Sequence, residues 1–336
     1  MLRQPAETQT LYAELSERLR ALEAARSFAS LAGSFARKQV RSGEYWYFKT
    51  SEGAAGQREY FIGPDNKATR DVMKAYSAGR QDAEDSTHQI ERLCAMLRQG
   101  GAMTTDTPSA RVIAGLASAG VFRVGAVLVG TQAFIALGNL LGVRWASGLR
   151  TQDIDVAATR ILEVAVAQSE ADPPKALDAL NMGFLPFPGL NPKSPETTFS
   201  VRGQAMRVDL LTPAHGARTG KPVPIPRLKA AAQPMDLLEY LLEGTIAVPL
   251  LSNGATLVNV PDPSRFALYK LRAGKDREQA GELLEALYED RRGDLTLAVE
   301  ALNERAAAWR IRLKRELAKL PDDLGNARKL ILRDLK

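Results

Sequence analysis

Three aspartates carry the residue types and spacing that could do chemistry. Asp153 and Asp155 bracket Ile154 in the run Asp153-Ile154-Asp155-Val156-Ala157. On a strand, residues two apart face the same way, so both carboxylates project together while Ile154 turns inward. Two carboxylates on one rigid face suit a hard cation such as Mg²⁺ (or Mn²⁺), which takes oxygen ligands. Asp209, in Arg207-Val208-Asp209-Leu210-Leu211, is another acid among alternating apolar residues. If its strand lies beside the first, the three acids make a site for two metal ions. Upstream, Phe122–Val129 reads as a buried strand ending at Gly130-Thr131, with a helix over 132–142. A turn of that kind offers free backbone N–H groups and a hydroxyl at a helix N-terminus, a setting that favours phosphate.

These segments need a scaffold. Leu11, Leu15, Leu19 and Leu22 recur at helical spacing, and residues 8–36 read as a helix. Tyr45–Thr50 and Arg58–Pro64 read as aromatic strands of a hairpin around a Gly/Ser/Ala connection. A second helix spans 68–98 and stops at Gly100-Gly101. Thr107-Pro108 starts a third, with Thr as N-cap and Pro at the first helical position. A Pro-started helix over 174–182 and strands at 197–201 and 206–211 follow. Residues 213–234 read as a surface loop, 245–251 and 256–260 as short strands, and the rest from Ser264 as helices. Interleaved strands and helices give an α+β chain with an α/β-like core. The expected parts are 1–106, helical with the aromatic hairpin; 107–215, a mixed-sheet core with the acids; and 216–336, mostly helical.

Composition narrows the chemistry. The chain has 336 residues, two His and one Cys. Cys94 alone excludes an internal disulfide framework and a thiolate-rich zinc site. His88 and His215 are too far apart for a local metal motif and leave little for Ser-His-Asp catalysis. Carboxylates, lysines, arginines and backbone must do the work. The net charge of +6 is a mild bias toward an anionic partner. The final 46 residues hold twelve Lys and Arg against seven Asp and Glu. There Trp309, Leu313 and Leu317 recur every four residues, with Arg310, Arg312, Lys314 and Arg315 between them, as in a solvated amphipathic helix. No apolar run is long enough to span a bilayer, and a cytoplasmic location is expected.

The strand, Gly130-Thr131 turn, helix, Asp153-Ile154-Asp155 and later Asp209 together resemble the nucleotidyltransferase fold of the polymerase beta-like superfamily. The run Arg150-Thr151-Gln152-Asp153-Ile154-Asp155 is similar to the form in bacterial abortive-infection and toxin-type nucleotidyltransferases. Pro263–Leu271 is similar to their following helix, which carries a lysine, here Lys270. The Tyr45-Trp46-Tyr47 hairpin ending in Gly63-Pro64 is similar to that of an uncharacterised bacterial family of this fold. Two departures stand out: Thr131 replaces the usual Ser or Gly, and the interval from Gly130 to Asp153 is long, implying an extended helix or a loop around Trp145.

The resemblance implies in-line transfer of a nucleoside monophosphate from an NTP to an acceptor, with release of pyrophosphate. Asp153, Asp155 and Asp209 would be the catalytic metal ligands. Gly130, Thr131, Arg150 and Lys270 would bind nucleotide phosphates. A tRNA or other RNA acceptor and an antitoxin partner are implied by the toxin-like forms. Two other readings remain open, a non-catalytic nucleic-acid-binding protein that keeps the fold and a carboxylate-metal nucleotide phosphohydrolase. The aromatic run 45–48, with Arg41, Lys49 and Arg58, could stack single-stranded nucleic acid, although aromatic alternation in a hairpin commonly means packing.

Overall fold

Helical periodicity in the first segment is marked by leucines up to Leu22, and the helix runs on past them to Ala29. In the computed structural model β1 (Leu2–Arg3) leads into α1 (Ala6–Ala29). The structure describes residues 1–29, 33–40, 43–52, 56–146, 152–159, 171–187, 194–214, 220–273, 276–305 and 307–335. The helix expected to reach residue 36 stops short, and β2 (Gly33–Val40) follows. It pairs antiparallel with β3 (Gly43–Glu52), which pairs with β4 (Gly56–Pro64). The expected hairpin is therefore a three-stranded sheet. Pairing rather than helical propensity decides β2: Phe35 lies opposite Phe48, ring centroids 5.1 Å apart. After α2 (Lys67–Gln99) comes α3 (Thr107–Ser118). Its N-cap is Asp106 instead of Thr107, because the Asp106 carboxylate accepts from the Ser109 N–H at 2.9 Å.

The chain divides into two units: Glu14–Leu93, and Met1–Ala13 together with Cys94–Lys336. The first holds the three-stranded sheet with most of α1 and α2. The second holds everything that positions the aspartates. It continues with β5 (Val127–Val129), α4 (Gly130–Leu140), β6 (Val143–Arg144), β7 (Asp153–Ala157) and α5 (Pro173–Ala179). Then come β8 (Phe184–Pro186), β9 (Thr198–Val201), β10 (Arg207–Pro213), β11 (Val223–Ile225) and β12 (Ala230–Met235). The order across the main sheet is β11-β12-β10-β7-β5, with β9 on β10 and β8 on β9. Strand β10 runs parallel to β7 and β12, while β5 is antiparallel to β7. The sheet is mixed, and β10 lies at its centre.

Two expectations are corrected here. Of the strand expected over 122–129, only the last three residues pair. Turns precede them, and the Asn259 amide holds that segment by donating to the carbonyls of Phe122 and Ala126 at 2.7 and 2.9 Å. The surface loop expected over 213–234 contains β11 and β12. Alanine-rich β12 has weak strand propensity, but pairing of residues 233–235 with β10 and burial of Ala231 and Ala232 place it in the sheet.

The core packs on α4, where Phe134 and Trp145 stack with centroids 4.5 Å apart. The Trp145 indole N–H donates to the Phe134 carbonyl at 2.6 Å. After α6 (Leu238–Leu242), the hairpin of β13 (Thr245–Leu251) and β14 (Ala255–Pro261) packs beside β5 and α4. Helices α7 (Pro263–Ala273), α8 (Arg277–Asp290), α9 (Arg292–Asn303), α10 (Ala307–Leu317) and α11 (Gly325–Asp334) complete the chain. In α10, Leu313 and Leu317 are buried, as their four-residue spacing predicts. Arg310 is used internally, donating to the carbonyls of Asn303 and Arg305. Cys94 is buried, as a small hydrophobe would be. Among the described residues, no helix is long and apolar enough to cross a membrane. Strands and helices alternate through a mixed sheet, the α+β architecture expected of a nucleotidyltransferase core.

Candidate active site

Strand alternation separates the acids from the core. Ile154 and Val156 on β7, and Val208 and Leu210 on β10, are essentially fully buried. Burying such side chains is worth roughly 1.5–3 kcal/mol each, and that anchors the register. Asp153 and Asp155 therefore share the other face of β7, and Asp209 shares it on β10. Parallel pairing places Asp209 opposite Asp155 and Arg207 opposite Asp153. Neighbouring strands are about 4.8 Å apart, so acids that are 54 positions apart in sequence become lateral neighbours.

Gly130 meets Asp155 from the other side. It opens α4 at φ +67, in the left-handed region, and Val129 before it pairs with Asp155. A Cβ on Gly130 would lie 2.3 Å from Asp155 Oδ2. Only glycine leaves room for the carboxylate beside the first turn of α4, whose N–H groups have no intrahelical partners. Thr131 is the next residue in that turn and is half-buried.

Asp209 is held from both sides. Thr198 Oγ1 donates to its Oδ1 at 2.5 Å, from the register position opposite it on β9. Arg207 Nε donates to Oδ1 at 3.0 Å and lies 2.8 Å from Oδ2. The hydrogen bond to Asp209, with the charges of Asp209, Asp153 and Asp155, pushes the Arg207 guanidinium further above its ordinary pKa. All three acids thus act on one cation. Among the described residues no cluster of three His, Cys, Asp or Glu side chains forms a ready cation cage, and Arg207 stands against Asp209. The donor set itself is all oxygen on one sheet face, the chemistry that a hard divalent cation takes.

Lys270 enters from α7. It is buried, with its ammonium 3.2 Å from Asp276 Oδ2 and 5.0 Å from the Phe266 ring centroid. Gly130, Asp155, Asp209 and Lys270 line one cavity of about 960 Å³, with Arg207 and Lys221 also on its wall. The structure thus brings together four of the residues singled out in the sequence, with Asp153 beside them on the β7 face. Arg150 and His215 lie outside the described residues. His88 is exposed on α2, beside Glu91.

Sequence reasoning missed Arg207 and Thr198 as parts of this site. Arg207 had a signal, since it lies two residues from Asp209 and must share its face. Thr198 had none, because its contact depends on the antiparallel pairing of β9 with β10.

A family model described as Nucleotidyltransferase matches residues 107–303, from the start of α3 to the end of α9. No curated protein and no solved structure matches the chain. The matched stretch covers more than half of the chain and contains Gly130, the three aspartates and Lys270. The chain belongs to this nucleotidyltransferase family and is a transferase, of a class that moves nucleoside monophosphates.

Proposed function

We propose that the chain transfers a nucleoside monophosphate from an NTP to a hydroxyl of an RNA acceptor, tRNA foremost, and that Asp153, Asp155 and Asp209 hold Mg²⁺ or Mn²⁺ for that reaction. The observation that carries this reading is the lateral pairing of Asp155 with Asp209 on one sheet face, with Gly130 opening beside Asp155. When bound, the cation would neutralise phosphate charge and lower the pKa of the acceptor hydroxyl.

The chain's own residues would do the positioning. The first-turn N–H groups of α4, with the Thr131 hydroxyl, would receive phosphate oxygens at the positive end of the helix. Lys270, sheltered from water between aromatic rings, would add a point charge that solvent screens little. Arg150 would be a further phosphate contact. Thr198 would keep Asp209 in one rotamer, so its carboxylate needs no reorganisation when substrate arrives. The mild excess of positive charge and the resemblance to toxin-type forms support a nucleic-acid acceptor, and the same resemblance supports an antitoxin as a partner of this chain.

The test is incubation of the chain with each α-labelled NTP, Mg²⁺ or Mn²⁺, and total RNA or tRNA. Label should pass to RNA and disappear in Asp155→Asn and Asp209→Asn. Free labelled mononucleotide without acceptor would instead identify a phosphohydrolase. RNA binding without any label transfer would identify a non-catalytic binder.

A further inference from the structure

The sheet face that carries the acids extends past them. Two register rows cross it. One runs Asp155, Asp209, Thr198; the other runs Asp153, Arg207, Ser200, Leu185. The first row gains a fourth member, because the Phe187 N–H donates to the Thr198 carbonyl at 2.8 Å, extending the β8–β9 pairing by one residue. Phe187 therefore stands two strands from Asp209, about 10 Å at ordinary strand spacing.

This end of the face has an unusual surface. Phe187 is 61% exposed and Leu185 55% exposed, on the same side of β8, while Phe184 on the opposite side is buried. Phe187 lines the aspartate cavity and also a second groove of about 490 Å³, bounded by Leu185, Ser200, Arg202 and Arg207. The two cavities share Phe187, Thr198 and Arg207, so they form one continuous trough. The groove wall holds two arginines and no Asp or Glu. An exposed aromatic and an aliphatic side chain beside the exposed Arg202, with Arg207 paired to Asp209 at the junction, suit a ligand with both flat apolar rings and phosphates.

We infer that this groove takes the single-stranded end of a nucleic-acid acceptor, with a base stacked on Phe187, phosphate paired with Arg202, and the terminal hydroxyl directed along the row toward Asp209. The distance fits, because about 10 Å is about three nucleotides at a stacked rise of about 3.4 Å per nucleotide of one strand. Arg207, at the junction, faces the acids on one side and the groove on the other. This assignment rests on the nucleotidyl-transfer reading for the direction of the strand end but not for the binding itself.

The experiment measures binding of a fluorescein-labelled 12-nucleotide single-stranded RNA to the full chain by anisotropy, in EDTA and without NTP. Neither catalysis nor metal enters that readout. Phe187→Ala should weaken binding roughly tenfold, about 1.4 kcal/mol, and Phe187→Trp should restore it. Arg202→Gln should weaken binding and lower the salt dependence by about 0.7 in the slope of log K against log[salt]. Heparin, a polyanion without bases, should bind Phe187→Ala as it binds the parent. Both positions are exposed, so unchanged melting temperatures should accompany these losses. RNA binding that is absent in the parent, or equal in Phe187→Ala, Arg202→Gln and the parent, overturns the inference. So does a labelled product that is a protein, with no RNA bound. If Asp155→Asn transfers label as the parent does while Phe187→Ala loses RNA, the nucleotidyl-transfer reading falls and the groove stands. Asp155-dependent transfer to RNA with binding indifferent to Phe187 and Arg202 gives the opposite result.

Discussion

Gly130 and Asp155 are fitted to each other: the space where a Cβ on Gly130 would sit, 2.3 Å from Asp155 Oδ2, is what lets the carboxylate lie beside the first turn of α4. Gly130→Ala must therefore move the turn or the acid. It also places alanine at φ +67, a conformation that costs an L-residue about 1–2 kcal/mol. The variant should melt a few degrees lower by calorimetry. Its label transfer should fall by about 10²-fold, because a displacement near 1 Å at a reacting centre has that scale.

Asp209→Asn should separate activity from stability. Its ion pair with Arg207 lies on a half-exposed guanidinium, so losing it should change unfolding free energy by less than about 1 kcal/mol. Label transfer should drop by at least roughly 10²–10³-fold, the scale of losing a preorganised electrostatic group. Chemical denaturation and the transfer assay on the same preparation check both halves.

Lys270→Met tests the buried cation. The methionine keeps most of the stem packed between Phe134 and Phe266 and leaves Asp276, itself about one-third exposed, to water. NTP KM should rise about tenfold or more, with a smaller effect on melting temperature. Arg should not rescue, because its planar fork does not fit a pocket shaped for a point charge. Steady-state kinetics with the preferred NTP decide it.

Glu316 sets part of the acid limit of stability. It is a buried carboxylate on α10; hydrogen bonds from Lys319 and then Arg277 lower its pKa from 4.5 to about 2. A depressed carboxylate stabilises the folded state above its unfolded pKa, and that contribution disappears as pH falls through the folded value. Melting temperature should decline between about pH 4.5 and 2 in the parent. Glu316→Gln should start lower at neutral pH and show a shallower decline across that window. Calorimetric scans at half-unit pH steps give the comparison.

How much of this was legible depends on the range of the interaction. Alternation around Asp153, Asp155 and Asp209 was readable because period-two burial is local: Ile154, Val156, Val208 and Leu210 declare which way the acids face. The Gly130 turn and the leucine spacing of α10 were readable for the same reason. Strand β2 was not, since nothing in Gly33–Val40 forces extension until Phe35 meets Phe48 across the sheet. Strand β12 was hidden by its alanines and by Pro234, and only the partner β10 specifies it. The N-cap was misplaced by one residue because Thr107 and Asp106 are both good caps, and only backbone geometry chose between them.

By itself the sequence determined which groups could do chemistry: aspartates and cations, almost no histidine or cysteine, and acids set on strand faces by their apolar neighbours. Tertiary structure decided which of those groups meet. Pairing of β10 with β7 brought Asp209 beside Asp155, and pairing with β9 delivered Thr198 to Asp209 and extended the face to Phe187. The physical reason is that side-chain alternation along a strand is encoded by its own residues. Register between strands comes from hydrogen bonds and buried contacts among segments far apart in the chain.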